Sequence, residues 1–314
     1  MWEETLSDSL ERKDILTVED LGKRGVVRVL ETASALEGAW DAGGLGDLLV
    51  GRALAPMYYR IDPWGRASFE RAMQRLGGDV LSMGGLKDGG EKGGLARRAR
   101  SASAYADVIV HAHPEVFSAH EAAKGALVPL VNAGDGTYED PPQALTDLYT
   151  LRKEHGTIDG LTITLVGDLR HSRFVHSLVR GLADWDVSLR LVSPPSLKLA
   201  SVLAVPLKRA VAVAEVEDLA SSMEGCDAVY VAPIDVGSFA RQTEAESAQI
   251  WLTGQVSALG QAGVDVALMC PQPAPAWVDG VSGEMAEGPY RQAVNGVFVR
   301  AVILALVLGT LPGQ

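Results

Sequence analysis

Cysteine and histidine, the side chains most often used as nucleophile or neutral-pH base, number two and six among the 314 residues. Cys226 and Cys270 are the only cysteines, and neither lies in a CxxC or other metal-ligand spacing. A thiol such as Cys270 could be a nucleophile, but one without a neighbouring base is more often inert. No convergence of His, Cys and carboxylate marks a metal site. Gly167-Asp168 follows a strand-like run, yet without GxGxxG no nicotinamide cofactor is expected. No cofactor of any kind is implied. Two aspartates precede prolines. Asp62-Pro63 is the signature of a self-capped helix start, and Asp140 before Pro141-Pro142 suits the end of a turn. Lys87 and Lys92 sit in Gly84 to Gly94, a stretch that reads as a mobile loop by composition.

These residues must be positioned by alternating helical and strand-like segments, the pattern of parallel sheets covered by helices. Thr17 is placed to cap a helix through Val18, Leu21, Val26 and Val29, with Gly22 and Gly25 arguing against it. Phe69, Ala72, Met73 and Leu76 fall on one helical face that Gly77 can end. Strands are expected at 54–59, 108–110, 128–131, 161–166, 188–192, 228–231 and 264–269, a tight turn at 132–136, and a helix over 142–155.

Composition narrows the class further. An apolar fraction of 47% with 22% charged residues is that of a globular chain long enough for two domains. A formal charge of −12 argues against nucleic acid or an anionic membrane as main partner. With two cysteines and no basic-then-apolar start, the expected compartment is the reducing cytoplasm. The most apolar run, Val297 to Leu308, is interrupted by Arg300 and reads as a buried terminal helix too short to span a bilayer.

Several segments occur in the order seen in aspartate and ornithine transcarbamoylases. They are Ser68-Phe69-Glu70 with Arg75-Leu76-Gly77, Asn132 to Gly136, Gln143 to Leu148, Val166 to Leu169 with Arg173 and His176-Ser177-Leu178, and Gln292 to Leu308. Across nearly its whole length the chain resembles this family, most closely its aspartate branch. The resemblance implies two Rossmann-like doubly wound α/β domains with the C-terminal helix packing back on the first. The expected boundaries are 1–141 plus 290–314 and 142–289. It also implies a homotrimer with active sites at subunit interfaces, each completed by a neighbour's loop matching the stretch around Lys87 and Lys92. His113 and His176 fall in matching framework segments and read as packed rings. His111 and His171 have no counterpart.

The resemblance also exposes departures. The family's phosphate-binding Ser-Thr-Arg-Thr-Arg is Asp62-Pro63-Trp64-Gly65-Arg66 here. Its arginine before His-Pro is Ala112, its His-Pro-Thr-Gln is Asp140-Pro141-Pro142-Gln143, and its substrate-carboxylate Arg and nearby Gln are Pro233 and Asp235. Its His-Pro-Leu-Pro-Arg loop is Cys270-Pro271-Gln272-Pro273-Ala274. Gln143, Arg66 and Arg173 remain. A carboxylate at 62 opposes phosphate, since like charges about 4 Å apart cost roughly 4 kcal/mol at an effective dielectric near 20. Three acidic replacements suggest a pocket turned toward an amine, guanidine or amino acid. On that expectation the chain is an enzyme of altered chemistry. Asp62, Asp140, Asp235 and Cys270 would be catalytic, and Trp64, Arg66, Gln143, Arg173, Gln272, Lys87 and Lys92 would bind substrate. Two alternatives stand beside it: a silent trimeric scaffold serving a partner enzyme, and a carbamoyltransferase with a rebuilt site.

Overall fold

The computed structural model describes residues 9–83, 93–201, 203, 211–261, 266–274, 281 and 283–311. The chain divides into two compact units, residues 1–146 with 295–314, and residues 147–294. The glycine-rich segment with Lys87 and Lys92 falls almost wholly outside the described residues.

The first unit is built on a parallel sheet of β1 (Ala53–Tyr58), β2 (Asp79–Val80), β3 (Val108–His113) and β4 (Leu130–Asp135), in the order β2-β1-β3-β4. β3 and β4 are buried at every position and β1 at all but its first, as expected of strands covered on both faces. Ile15 adds a parallel bridge to Val131 at the β4 edge. Asn132 to Asp135 is the end of β4 and not the tight turn its composition suggests. The Asn132 side chain supplies the reason, because its Nδ2 donates to Leu16 O and Asp135 Oδ1 while its Oδ1 accepts from Gly134 N. The turn follows at 136–138.

Helix α1 (Val18–Asp41) begins with a capping box, in which Thr17 accepts from Asp20 N and Asp20 accepts from Thr17 N. Gly22 does not end it but kinks it, at φ +60°. In α2 (Pro63–Arg75) the expected face is buried, with Phe69, Met73 and Leu76 each at most 1% exposed. Gly77 follows at φ +81°, where a Cβ would lie 2.2 Å from Gly46 O. α3 (Gly94–Ala102) and α4 (Ser118–Ala123) complete the cover.

The second unit holds β5 (Thr162–Gly167), β6 (Val187–Val192), β7 (Val211–Glu215), β8 (Ala228–Ala232) and β9 (Ala267–Met269), all parallel, in the order β7-β6-β5-β8-β9. α5 (Pro141–His155) starts in the first unit and continues into the second, followed by α6 (Arg173–Leu182) and α7 (Gln242–Gln261). The last helix, α8 (Glu284–Val307), has its start in the second unit and its remainder, from Asn295, in the first. It is longer than the apolar run foretold, because a polar portion from Glu284 precedes it. By length and composition it could cross a bilayer, but 72% of its apolar window is buried, as in a core helix. Both sheets reverse their winding direction beside the first strand of the unit, at β1/β3 and at β5/β8. The crevices at the carboxyl ends of these strands are where ligands of open α/β sheets bind.

Gly77→Ala should destabilise the chain by about 2 kcal/mol, because it combines a disfavoured positive φ with a backbone clash. Urea unfolding followed by circular dichroism measures this.

Candidate active site

At the carboxyl end of the first sheet, β1 ends in Tyr58 and β3 in His113, while α2 and α5 begin at Asp62-Pro63 and Asp140-Pro141. Tyr58 is buried, and its Oη has no hydrogen-bond partner among the described residues. Burial first, then the charge of Asp62, pushes its hydroxyl pKa well above the usual value; Asp140 and Glu70 add to this and Arg300 opposes it. These side chains therefore form one electrostatic group. Arg300, 7% exposed on α8, donates from Nη2 to Gln143 Oε1 at 3.2 Å and from Nη1 to Gly296 O at 3.0 Å. The amide oxygen of Gln143 is thus held by a buried guanidinium. Sequence reasoning passed over Tyr58 and treated Arg300 only as an interruption. An arginine inside the most apolar run of the chain was the available signal, since a buried charge demands partners.

Arg66 donates from Nε to Glu70 Oε1 at 2.6 Å, one helical turn on. Trp64 is 57% exposed. His113 accepts at Nδ1 from Glu115 N, and His111 Nε2 lies 3.3 Å from Ser118 Oγ.

In the second unit, β5 ends at Gly167, and the loop to α6 carries Asp168, His171 and Arg173. Gly167 has φ +119°, and a Cβ there would lie 2.0 Å from Ala232 O, so only glycine lets β5 and β8 approach at this point. Arg173 opens α6 behind the capping Ser172, with its guanidinium 4.0 Å from the centre of the Phe174 ring. His176 bonds Arg170 O through Nε2, the packed role anticipated. Gln272 uses both ends of its amide, donating to Pro289 O on α8 and accepting from Ala274 N on its own loop.

Each of the four expected catalytic residues makes contacts within the fold. Asp62 accepts from Gly65 N at 2.9 Å, Asp140 from Gln143 N at 3.2 Å, and Asp235 from Gly237 N at 3.0 Å. Each caps the first turn of a helix, α2, α5 and the short 3-10 turn Val236–Ser238 respectively. Gly65 makes room for the first cap, since a Cβ there would sit 2.6 Å from Asp62 Oδ2. The common sign of the three replacements therefore has a structural cause, because helix N-termini favour Asp whatever the ligand. Cys270 is wholly buried, with its N–H donated to Gln292 Oε1, whose Nε2 in turn bonds Asp147 Oδ1. Burial, and then the Asp147 charge, pushes its thiol up to about 12. It is a packed thiol. Among the described residues no group of His, Cys and carboxylate is placed to hold a metal.

Residues 13–153 match the family model described as the aspartate/ornithine carbamoyltransferase carbamoyl-P binding domain, and residues 159–307 match the Asp/Orn binding domain of the same family. The chain belongs to the aspartate/ornithine carbamoyltransferase family. Its similarity to the aspartate carbamoyltransferase catalytic subunit of Thermoplasma acidophilum is 35% identity over 306 residues, 96% of this chain and 99% of that one. The corresponding Thermococcus kodakarensis subunit is 36% identical, over 95% and 98% of the two chains. The fold matches that of Trypanosoma cruzi aspartate transcarbamoylase solved with carbamoyl phosphate and aspartate, at a TM-score of 0.84 and 30% identity over 95% and 98% of the chains. These full-length relations to aspartate carbamoyltransferases overturn the expectation of altered chemistry on an amine or guanidine and that of a silent scaffold. The capping roles of Asp62, Asp140 and Asp235 remove the physical ground on which the first of these stood.

Two measurements check this account of the site. Native Cys270 should resist iodoacetamide at neutral pH and react only on unfolding, read by mass spectrometry. Its folded-state pKa lies above the unfolded value near 9. Its contribution to stability is therefore complete below about pH 9 and is lost as pH rises toward 12. In Cys270→Ser the alkaline fall in urea midpoint should be shallower.

Proposed function

We propose that the chain transfers the carbamoyl group of carbamoyl phosphate to the amine of aspartate. The observation that carries this reading is the continuity of the match, two successive family domains and about 35% identity to catalytic subunits from end to end. The first unit would receive carbamoyl phosphate at the start of α2, beside Arg66 and the positive end of the helix. Gln143, its oxygen already bonded by Arg300, would present its NH2 group to the carbamoyl oxygen. The second unit would receive aspartate, with Arg173 binding a carboxylate. Asp62 makes this phosphate site weaker than one lined by hydroxyls, because its charge repels an incoming dianion. As an assembly, a homotrimer with sites completed across subunits fits this reading, and so does the cytoplasm, where both cysteines stay free.

Purified protein with carbamoyl phosphate and aspartate should yield carbamoyl aspartate, measured by mass spectrometry. Its sedimentation should be that of three 33.2 kDa chains. Asp62→Ser keeps a capping side chain but removes the charge, so it should lower the KM for carbamoyl phosphate severalfold with little change in stability. Absence of product at millimolar substrates, together with no thermal stabilisation by N-(phosphonacetyl)-L-aspartic acid, would overturn the reading.

A further inference from the structure

His171 has the surroundings of a base. Asp168, 1% exposed, uses Oδ1 to accept from Arg170 N at 3.1 Å and His171 N at 2.9 Å. Its Oδ2 lies 3.2 Å from His171 Nδ1. The backbone bonds fix the carboxylate, and the carboxylate fixes the ring. A neutral imidazole in this arrangement carries its proton on Nδ1 and leaves the lone pair on Nε2. The side chain is 29% exposed, so it is held at one nitrogen while part of the side chain stays accessible. A buried carboxylate behind a partly exposed histidine is the arrangement that sets the tautomer of a general base and stabilises its imidazolium. The loop stands at the carboxyl end of β5, where the sheet reverses direction, two residues before Arg173. Asp168 N bonds Ala232 O and Leu169 N bonds Leu197 O, so the loop is seated between the end of β8 and the turn that follows β6.

We propose that His171, held by Asp168, accepts the proton of the substrate ammonium in the second unit. The inference deepens the function proposed above and rests on it for the identity of the amine. An α-ammonium has no lone pair and cannot attack a carbonyl. Transfer of one proton from the ammonium nitrogen to His171 Nε2 breaks an N–H bond and leaves its electron pair on the amine. The imidazolium so formed faces the carboxylate of Asp168. Arg173 binds a carboxylate of the same amino acid and so sets the ammonium near the ring. Among the described residues, the other charged groups at this sheet end include Arg170 on the same loop, Asp235 after β8, Glu217 after β7, and Lys198 after β6, which is ion-paired to Glu215. None of these replaces the contact of Asp168 with the ring.

Asparagine can reproduce the Nδ1–H donor of histidine but has nothing at Nε2, so His171→Asn keeps the bond to Asp168 and removes the base. It should lower kcat about 100-fold with unchanged Tm, and abolish the acidic limb of the pH–kcat profile. Asp168→Asn still accepts the two amides but donates to Nδ1, forcing the proton to Nε2, and should show the same kinetic loss. His171→Asn activity within twofold of the parent, with the acidic limb intact, would overturn the proposal. A second readout does not depend on carbamoyl transfer. In protein labelled with 15N-histidine, saturating aspartate should shift the His171 Nε2 resonance, and the shift should vanish in Arg173→Ala. A shift without carbamoyl transfer would leave His171 in contact with the amine and overturn only the choice of reaction. No shift at saturating aspartate would overturn the inference itself.

Discussion

The N–H groups of a helix's first turn have no partner within the helix, and this chain satisfies several of them with carboxylates. A parallel sheet delivers each strand to the same end and then starts a helix there, so unsatisfied donors accumulate beside the ligand crevice. Asp62 and Asp140 bond first-turn amides of α2 and α5, and the adjoining Pro63 and Pro141 remove one donor each. Asp235 does the same for the short turn after β8. One requirement of backbone chemistry therefore governs how the helices start and what charge stands at these strand ends.

The fold was largely legible because it rests on long periodicities and firm stops. Phe69, Ala72, Met73 and Leu76 declared a face, and Gly77 declared its end. β7 and α7 were not legible. β7 is a five-residue edge strand, Val211–Glu215, and its residues 212–215 are exposed, so no apolar run announces it. α7 carries Leu252, Val256 and Leu259 as a buried stripe, but Gly254, Gly260 and its polar length obscure the period. Asn132 misled in the other direction, because an Asn-Ala-Gly-Asp-Gly string suits a turn until its side chain bonds across to Leu16.

The candidate residues were legible as strand-end positions, while their contacts were not. Comparing substituted motifs located the strand ends correctly, yet a sequence does not show whether a carboxylate faces a ligand or its own backbone. Asp62, Asp140 and Asp235 were assigned to the ligand, and each is bonded to an amide two or three residues ahead. Cys270 was uncertain for a related reason, since burial, which decides its ionisation, is a property of the fold. Asp168 and His171 went unassigned because their pairing depends on the shape of one loop.

Segments far apart in sequence meet in the first unit. Arg12 N bonds Val307 O, and Trp40 on α1 packs against Phe298 on α8 with ring centres 5.3 Å apart. The second unit, residues 147–294, is continuous in sequence. During synthesis the order of completion is therefore the reverse of the order of translation. The first 146 residues emerge without the helix that covers them, whereas the second unit has all its residues before α8 is finished. The last helix acts as a closing clasp, and until it arrives the apolar surface facing Phe298 to Val307 stays open to solvent and to chaperones.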